Sequence, residues 1–199
     1  MRFDQNIPIA ESYKDALLLF KTDAYRLYGR IIKTSKVLSL VLHNRCLRFF
    51  FFFRMAQYRG AGYRIFVRIC NHYGDKYGLM IYPKTKIGYG LYLGHGFNTL
   101  INTSAVLGNN INLSHGVSIG ANKSKAAVIG DNVYIAPNVC IIENCHIGNC
   151  STIGAGSVVT RDIPENKTAA GVPARVIGDC HPEYIGNAMS MDDFKKLLK

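Results

Sequence analysis

The stretch VIGDNVYIAPNVCIIENCHIGNCSTIGAGSVV, residues 128–159, has an aliphatic residue at every sixth position. The same spacing reaches back to Ile81, so that thirteen six-residue units fill most of the C-terminal half. An α-helix has a period near 3.6 and would lose about 1 kcal/mol at each interior glycine, whereas a regular strand has a period of two. A period of six is typical of short strands separated by regular turns, three units to a coil. We therefore expect a parallel β-helix.

Two irregular steps in the repeat predict loops. The spacing lengthens to eight residues after Leu93 and to ten residues after Ile119. The interior of a coil has no room for extra residues, so we expect Asn98–Leu100 and Gly120–Val128 to bulge outward. Outward loops of this kind commonly supply the walls of a substrate pocket.

The repeat also predicts which residues share one edge of the β-helix. Units that lie one coil apart stack at about 4.8 Å, which places His95, His115, Pro137 and Ala155 in one column. Each of them follows a small residue: Gly94, Ser114, Ala136 and Gly154. We expect two histidines at one end of this edge and a smooth groove at the other. Such a groove suits a long cofactor arm held through backbone groups.

The charge of the chain is unevenly distributed. The 199 residues carry a formal net charge of +11, of which +9 lies in residues 1–80 and only +2 in residues 81–199. The hydrophobic content of 48% is that of a folded protein and excludes a largely disordered chain. We divide the chain into a basic α-helical region, 1–78, a β-helix, 79–178, and a tail with a short helix, 179–199.

The N-terminal region is predicted to be helical over Ser12–Tyr28, Lys36–Met55 and Tyr58–Tyr77, with Ser12 as an N-cap. Five consecutive phenylalanines, Phe49–Phe53, must be buried against the end of the β-helix, a partner chain or lipid. Basic residues interleaved with aromatic ones leave three interpretations open. The region is a cap or oligomer contact, a peripheral contact with an anionic membrane, or, least favoured, a nucleic-acid surface.

The cysteine content predicts a reducing compartment. Six cysteines in 199 residues are too few for a disulfide scaffold, and the first residues, MRFDQNIP, lack the pattern of a secretory signal. The sequence has no uncharged apolar run of about 18 residues that would cross a membrane. We expect a cytoplasmic protein, held at the inner face of the cytoplasmic membrane if the basic region contacts lipid.

The repeat and its ending, IGAGSVVTRDIPENKTAAGVPARVIG at Ile153–Gly178, resemble the hexapeptide-repeat acyltransferases. The resemblance covers about residues 79–178 and is close to the serine acetyltransferases and their polysaccharide O-acetyltransferase relatives. It implies a left-handed β-helix and acetyl-CoA as the donor substrate, with no metal. It also implies a homotrimer with active sites between neighbouring chains.

The same resemblance assigns candidate site residues. His95, in LYLGHGFN, matches the catalytic histidine of the family, where a neutral imidazole takes the proton of the attacking hydroxyl. His115 and Asn98 are candidates for binding the acceptor. For His115 a structural role at its corner is an equal alternative, and it is also the alternative base. The residues expected to bind the cofactor are Ala136, Gly154 and Ala155 along the pantetheine arm, and Thr160, Arg161 and Arg175 at the nucleotide end.

Three family residues are replaced in this chain. Gly94 and Met80 stand where serine acetyltransferases have aspartates, and Ala126 stands near the position of a second histidine. A buried ammonium group needs an anion, so the losses favour a carbohydrate hydroxyl, from a polysaccharide or a lipid-linked saccharide, over L-serine as acceptor. A backbone carbonyl is expected to orient His95. A zinc-dependent protein resembling γ-class carbonic anhydrases is a remote alternative.

Overall fold

Three parallel sheets form the sides of a β-helix of about five turns. The computed structural model describes residues 1–4 and 6–198. It confirms the predicted fold class, a left-handed parallel β-helix that follows an α-helical segment.

A hairpin and four helices precede the β-helix. They are β1 (Arg2–Asp4), β2 (Ile7–Ile9), α1 (Tyr13–Tyr28), α2 (Val37–His43), α3 (Arg45–Gln57) and α4 (Tyr63–Tyr77), with a 3₁₀ turn over Thr34–Lys36. Ser12 caps α1 as predicted, since its side chain accepts a hydrogen bond from the backbone N–H of Asp15. The hairpin was not predicted.

Two helix predictions were wrong in their limits. The helix expected over Lys36–Met55 is interrupted at Asn44, whose extended backbone ends α2 and whose side chain caps α3 by accepting from the Leu47 N–H at 3.0 Å. The helix expected from Tyr58 begins only at Tyr63. Its N-cap, Gly62, has φ +80°, a left-handed conformation that glycine adopts without steric cost.

The strands of the β-helix alternate among three faces. Face 1 contains β3 (Leu79–Ile81), β6 (Thr99–Ile101), β9 (Ser118–Ile119), β12 (Cys140–Ile141) and β15 (Val158–Val159). Face 2 contains β4 (Lys86–Ile87), β7 (Val106–Leu107), β10 (Val128–Ile129) and β13 (His146–Ile147). Face 3 contains β5 (Tyr92–Leu93), β8 (Asn112–Leu113), β11 (Tyr134–Ile135), β14 (Thr152–Ile153), β16 (Lys167–Gly171) and β17 (Ala174–Asp179).

Face 3 has the register that the period of six predicts. Leu93 pairs with Leu113, Leu113 with Ile135, and Ile135 with Ile153. All four side chains are buried, so the repeated aliphatic residue forms a column inside the β-helix. The antiparallel strands β16 and β17 close the C-terminal end of this face.

One of the two predicted bulges lies elsewhere. Leu100 is not in a loop, because it pairs with Met80 and Ser118 within face 1. The two additional residues lie in the turn before it, where His95, Gly96 and Asn98 all have positive φ. The second loop lies where expected, between the end of β9 and the start of β10.

The phenylalanine run packs against the end of the β-helix. Phe49, Phe50 and Phe53 are at most 1% exposed, and they belong to the same hydrophobic core as Leu79 and Leu91 of the first coil. For these three residues the structure therefore identifies the β-helix as the partner, whereas Phe51 and Phe52 are half-buried and pack on Phe20 and Tyr73 of the helical region. No helix among residues 1–4 and 6–198 combines the length and the apolar character needed to cross a membrane.

A buried ion pair lies between the helices and the first coil. Arg54 of α3 donates to both carboxylate oxygens of Asp23 of α1, at 2.8 and 2.9 Å, and both side chains are fully buried. The guanidinium also donates to the backbone carbonyls of Ile87 and Gly88, while Asp23 accepts from the N–H of Leu91. The pair therefore supplies hydrogen-bond partners to backbone groups of the coil that has no coil before it.

The C-terminal tail returns along the β-helix to its N-terminal end. It contains a 3₁₀ turn over Pro182–Ile185 and helix α5 (Met191–Lys196). The Tyr89 hydroxyl donates to the carbonyl of Met189, and the Tyr89 ring stacks on Phe194 with centroids 4.3 Å apart. Asn110 exchanges two hydrogen bonds with the backbone of Met189. The tail is thus fixed to the first two coils.

Candidate active site

The two histidines of the predicted column lie together at the edge between faces 3 and 1. We call this edge, at His95, His115, Pro137 and Ala155, the histidine corner. Successive turns are joined by hydrogen bonds from Gly116 N–H to the Phe97 carbonyl, from Asn138 N–H to the His115 carbonyl, and from Gly156 N–H to the Pro137 carbonyl. The predicted stacking order of this edge is therefore the observed one.

The imidazoles of His95 and His115 form an exposed edge-to-face pair. Their ring centroids are 5.9 Å apart and the rings are inclined at 75°. Both residues are exposed. No group among residues 1–4 and 6–198 makes a hydrogen bond to either ring, so the backbone carbonyl expected to orient His95 is not found, and the aromatic partner of His95 is His115.

The turn that carries His95 is held by the start of α3. His95 has φ +65°, which is uncommon for a residue with a side chain. The guanidinium of Arg45 donates to the His95 carbonyl and also lies over the ring of Phe97, 5.7 Å from its centroid. A Cβ at Gly96 would approach the Cys46 sulfur to 2.5 Å, so this turn and α3 are in close contact. No motif or spacing in the sequence points to Arg45, which lies 50 residues before His95.

Asn98 lies at the end of the same turn, with φ +48°. Its side-chain oxygen is directed at Gly78, the C-cap of α4, where an added Cβ would come within 2.6 Å. This side chain therefore contacts the end of α4. The structure does not bring its amide to the imidazole pair by any hydrogen bond.

Small residues line the histidine corner from coil to coil. The positions that precede the corner are Gly94, Ser114, Ala136, Gly154 and Ala170, joined by backbone hydrogen bonds or strand pairing. At Gly154 an added Cβ would lie 2.9 Å from the Cβ of Ala170. Arg175 of β17 pairs with Ala170, so its exposed side chain belongs to the upper end of this column. Ala136, Gly154, Ala155 and Arg175 are thus brought together.

Thr160 and Arg161 lie at a different edge. They follow β15, at the end of face 1 away from the histidine corner. The N–H of Ile142, one coil below, donates to the Val159 carbonyl there. The six residues predicted to bind the cofactor therefore do not form one continuous strip on a single chain, since Arg161 and Arg175 are on opposite edges of face 1.

The long loop after β9 is anchored by one carboxylate. Glu143 accepts hydrogen bonds from the backbone N–H groups of Asn122, Lys123 and Ser124, and these donors lower the pKa of its carboxyl below the ordinary value. Lys123 and Lys125 are exposed. Ala126, which the resemblance places near the family's second histidine, is 2% exposed and belongs to the hydrophobic core.

The other two replaced positions lie close to the histidine corner in the fold. Gly94 directly precedes His95, and its N–H donates to the Leu113 carbonyl at 2.7 Å. Met80 is 49% exposed on β3 and pairs with Leu100 of β6. No carboxylate among the described residues makes a hydrogen bond or an ion pair with His95 or His115. Likewise, residues 1–4 and 6–198 contain no group of three His, Cys, Asp or Glu side chains arranged to hold a metal.

Comparisons of sequence and of structure with known proteins agree on one family. The family described as bacterial transferase hexapeptide (six repeats) matches residues 126–161. Serine acetyltransferase 2 of Arabidopsis thaliana is 32% identical over 206 residues, covering 99% of this chain and 55% of that protein. The chain covers only 29–55% of the length of the first curated relatives that it matches, which is about half of their length at most.

Two solved serine acetyltransferases have the same architecture. The enzyme of Neisseria gonorrhoeae in complex with serine is 31% identical, with a TM-score of 0.65 over 81% of this chain and 69% of that chain. The enzyme of Brucella abortus strain S19 in complex with coenzyme A is 29% identical, with a TM-score of 0.71 over 84% and 70%. The chain belongs to the hexapeptide-repeat transferase family, and serine acetyltransferases are among its relatives.

Proposed function

We propose that this chain is an acetyl-CoA-dependent O-acetyltransferase whose active centre is the histidine corner. The observation that carries the proposal is the exposed pair of His95 and His115 at one end of a column of small residues. The family supports it, since a related serine acetyltransferase is described in complex with coenzyme A. Acetyl-CoA is the proposed donor substrate, and the mechanism needs no metal.

In the proposed mechanism His95 is the general base. Its neutral imidazole takes the proton of the acceptor hydroxyl while the hydroxyl oxygen attacks the thioester carbonyl. A C–O bond forms, the tetrahedral intermediate then breaks its C–S bond, and the imidazolium returns the proton to the departing thiolate. The thioester is already activated, so no acyl-enzyme is required. A backbone N–H group would stabilise the oxyanion.

Substitution of each histidine tests the centre and identifies the base. His95→Ala should lower kcat by about 10²–10⁴-fold, the usual contribution of a general base. His115→Ala should raise KM for the acceptor with a smaller effect on kcat if it binds the acceptor. A larger loss of kcat in His115→Ala than in His95→Ala would instead make His115 the base. Unchanged turnover in both variants would refute the proposed centre.

Among acceptors, we infer that L-serine is the first to test. The relatives found by sequence and by structure are serine acetyltransferases, and one is described in complex with serine. The comparisons give no support to the carbohydrate acceptor that the sequence favoured. Release of the coenzyme A thiol should accelerate when L-serine is added. No acceleration by serine would reject this acceptor while leaving the O-acetyltransferase proposal intact.

A carbohydrate hydroxyl is the second candidate, and one observation favours it. By the resemblance to serine acetyltransferases, Gly94 and Met80 stand where those enzymes have aspartates, and no described carboxylate makes a hydrogen bond or an ion pair with either imidazole. A serine ammonium would then lack a local anion on this chain, whereas a sugar hydroxyl needs none. Thiol release in the presence of free or lipid-linked sugars, with no response to serine, would establish this candidate.

For the coenzyme we propose that its pantetheine arm lies along Ala136, Gly154 and Ala155. Arg175 belongs to the same column, whereas Thr160 and Arg161 lie at the other edge of face 1. Arg175→Gln should raise KM for acetyl-CoA more than Arg161→Gln if one chain binds the whole coenzyme. Equal effects would indicate that two neighbouring chains share it.

The exposed surface of both imidazoles agrees with a homotrimer whose sites are completed by another chain, which analytical ultracentrifugation tests.

The membrane contact also remains a proposal. Burial of the phenylalanine run leaves Leu38 and Leu42 of α2, 69% and 57% exposed, as the apolar residues that would enter lipid, beside Lys33 and Lys36. Flotation of the full chain with anionic vesicles should be lost in Leu38→Gln with Leu42→Gln. Failure of the unmodified chain to float at low salt would reject the contact. The cytoplasmic location likewise remains a prediction from cysteine content.

A further inference from the structure

A cavity lies at the junction between the N-terminal elements and the β-helix, away from the histidine corner. Its volume is about 220 Å³. The hairpin β1–β2, the end of α3, the start of α4 and the first turn of the β-helix, residues 83–87, contribute to its wall. Most of the wall is apolar, with Ile7, Ile9, Ala56 and Ile87 among its residues. The site proposed for acetyl transfer does not include any of them.

The cavity wall contains a buried hydroxyl without a partner. Thr85 is 1% exposed, and its Oγ1 has no hydrogen-bond partner among residues 1–4 and 6–198. The only other buried side-chain atom of this kind in the described chain is Nε of Arg26, whose guanidinium makes two hydrogen bonds through its other nitrogens. An unsatisfied buried hydroxyl costs about 1–3 kcal/mol, so its presence needs an explanation.

Thr85 differs from the residues at the equivalent position of the other coils. Strand pairing places Thr85 in one column with Ala105, Ala127 and Cys145, the equivalent positions of the next three coils. All three are small and buried, and none carries a hydroxyl. The Thr85 hydroxyl makes no hydrogen bond within the described part of the chain. It can donate a hydrogen bond to an acceptor atom of a molecule in the cavity.

The mouth of the cavity is cationic. Arg59, Lys84 and Lys86 line it and are exposed. Lys86 forms an ion pair with Asp4 at 2.7 Å, whereas neither Arg59 nor Lys84 forms an ion pair with any described residue. Four charged side chains thus leave an excess of two positive charges beside an apolar space. Two of the cations have no anion to balance them.

The cavity continues into a shallow groove. Arg59, Lys84, Tyr63 and Pro83 border both spaces, and the groove extends over Tyr82 with a volume of about 310 Å³. The guanidinium of Arg59 lies 5.9 Å from the centroid of the Tyr63 ring, which holds the cation at the boundary between them. A ligand in the cavity would therefore place its charged group at this boundary and its apolar part inside.

We propose that this cavity binds a small organic anion, an apolar body of a few carbon atoms that carries a phosphate or carboxylate. Arg59 and Lys84 bind the anionic group, Ile7, Ile9 and Ala56 contact the body, and the Thr85 hydroxyl donates to an oxygen of the ligand. Ligand sites of this type are concave, mostly apolar and contain few polar groups. The site is independent of the acetyl-transfer proposal, because it uses no residue of the histidine corner.

Binding to the full chain by titration calorimetry tests the site. The probes are phenyl phosphate and benzoate, with benzyl alcohol as the neutral counterpart and inorganic phosphate as the anion without a body. At least one aromatic anion should bind, and benzyl alcohol and inorganic phosphate should bind at least tenfold more weakly. Binding of phenyl phosphate alone would identify a phosphate-bearing ligand, and binding of benzoate alone would identify a carboxylate-bearing one. No binding of either anion up to about 10 mM, a free energy weaker than about 3 kcal/mol, would overturn the proposal.

Three variants locate the binding. Thr85→Val keeps the shape of the side chain and removes the hydroxyl, and it should weaken the bound anion at least tenfold. Arg59→Gln with Lys84→Gln should abolish binding, whereas Lys36→Gln, an exposed lysine outside the cavity, should not change it. Thr85→Val removes an unsatisfied group, so thermal unfolding should show it to be at least as stable as the unmodified chain. Retention of full affinity in both cavity variants would place the anion elsewhere and refute the site.

Discussion

The coils of the β-helix and the helices that close its first coil are stabilised in different ways. Within the coils, backbone groups of the strands pair regularly with the neighbouring coil, as in the hydrogen bond from Gly130 N–H to the Ile147 carbonyl at 2.8 Å, and the interior is aliphatic. At the N-terminal end no coil precedes the first one. There the side chains of Asp23 and Arg54 take the place of a neighbouring backbone. In the middle of the solenoid the neighbouring coils satisfy the backbone hydrogen bonds, whereas at its end individual polar side chains do so.

The two regions therefore differ in how much of the free energy of unfolding depends on a single residue. A coil loses one of many equivalent contacts when an aliphatic side chain is shortened. The buried pair, in contrast, is unique: burial raises the pKa of the Asp23 carboxyl, while Arg54 and the Leu91 N–H act in the opposite direction. Removal of Asp23 leaves the Arg54 charge buried without its ion-pair partner, and removal of Arg54 leaves Asp23 with only the charge of Arg26, with which it forms no ion pair.

The largest effect is expected from Arg54→Ala. It should lower the free energy of unfolding by about 3–5 kcal/mol, the cost of leaving one member of a buried pair unpaired. Urea unfolding followed by circular dichroism measures this. Ile129→Val, in the middle of the β-helix, shortens one aliphatic side chain of a coil and should cost only about 0.5–1.5 kcal/mol through loss of packing.

A double substitution separates charge from packing at the same place. Asp23→Leu with Arg54→Met replaces the pair by apolar side chains of similar size, and it should be less destabilising than Arg54→Ala alone. If both changes cost the same, the role of the pair is to satisfy the backbone of Ile87, Gly88 and Leu91, and not to balance its own charge. If Arg54→Ala costs less than 1 kcal/mol, the end of the solenoid does not depend on the pair.

The next effect concerns the contact between the helical region and the histidine corner. Arg45→Gln should lower kcat by about ten- to a hundredfold, because the His95 turn loses the donor to its carbonyl and a small displacement of a catalytic group is costly. KM for acetyl-CoA should change little, since Arg45 lies outside the small-residue column. Steady-state kinetics with both substrates measures the two constants separately.

Two controls identify Arg45 as a positioning residue. Arg45→Lys retains one donor and should recover part of kcat, while Lys36→Gln, a nearby exposed cation, should leave the kinetics unchanged. A rise in KM for acetyl-CoA with kcat unaltered would instead mean that Arg45 contacts the coenzyme. The helical region would then contribute to substrate binding and not to the orientation of His95.

A smaller effect depends on pH and concerns the tail that joins the two regions. Burial, with the nearby charges of Asp131 and Asp193, raises the pKa of Tyr89 from 10.0 to about 12. In the unfolded chain Tyr89 loses its proton near pH 10, so the stability it contributes is fully present below pH 10 and is lost as the pH rises to about 12. Two pKa units at about 1.4 kcal/mol each set an upper limit of about 2.7 kcal/mol, and screening by solvent lowers the expected loss to about 1–2 kcal/mol.

Tyr89→Phe isolates this contribution. The difference in Tm between the unmodified chain and the variant should shrink between pH 10 and pH 12, whereas the raised pKa of Cys70 affects both proteins equally and cancels. The stacking on Phe194 is kept in the variant, so the tail remains in place. A Tm difference that stays constant over this range would mean that Tyr89 titrates normally and that the tail does not exclude water from it.

The contrast between the regions also explains how far the sequence could predict the structure. The period of six suffices for the β-helix, its register and the stacking of His95 on His115, because every coil repeats one burial requirement. The period shows that two extra residues lie between Leu93 and Ile101, but it does not indicate which residues of this segment lie outside the strands. The positive φ values of His95 and Asn98 decide that, and aliphatic spacing carries no information on them.

The helical region could be predicted only in outline. Helix periodicity and the cap at Ser12 were readable, but the decisive contacts join residues far apart: Asp23 with Arg54, 31 residues on, and Arg45 with His95, 50 residues on. No spacing rule links such pairs. For the same reason the candidate site was predictable in its histidines and small residues, which belong to the repeat, and not in Arg45, which does not.

The smallest predicted effect is at a corner of the coil, where the same local conformation recurs. Asn138 has φ +58°, and its N–H donates to the His115 carbonyl at 3.0 Å. Asparagine tolerates this left-handed conformation better than alanine, and glycine adopts it freely. Asn138→Ala should therefore cost about 1 kcal/mol and Asn138→Gly less, in urea unfolding. If alanine and glycine are equivalent, the corner is not strained. If alanine costs as much as Arg54→Ala, single corners are as critical as the closed end, and the contrast between repeated and unique contacts fails.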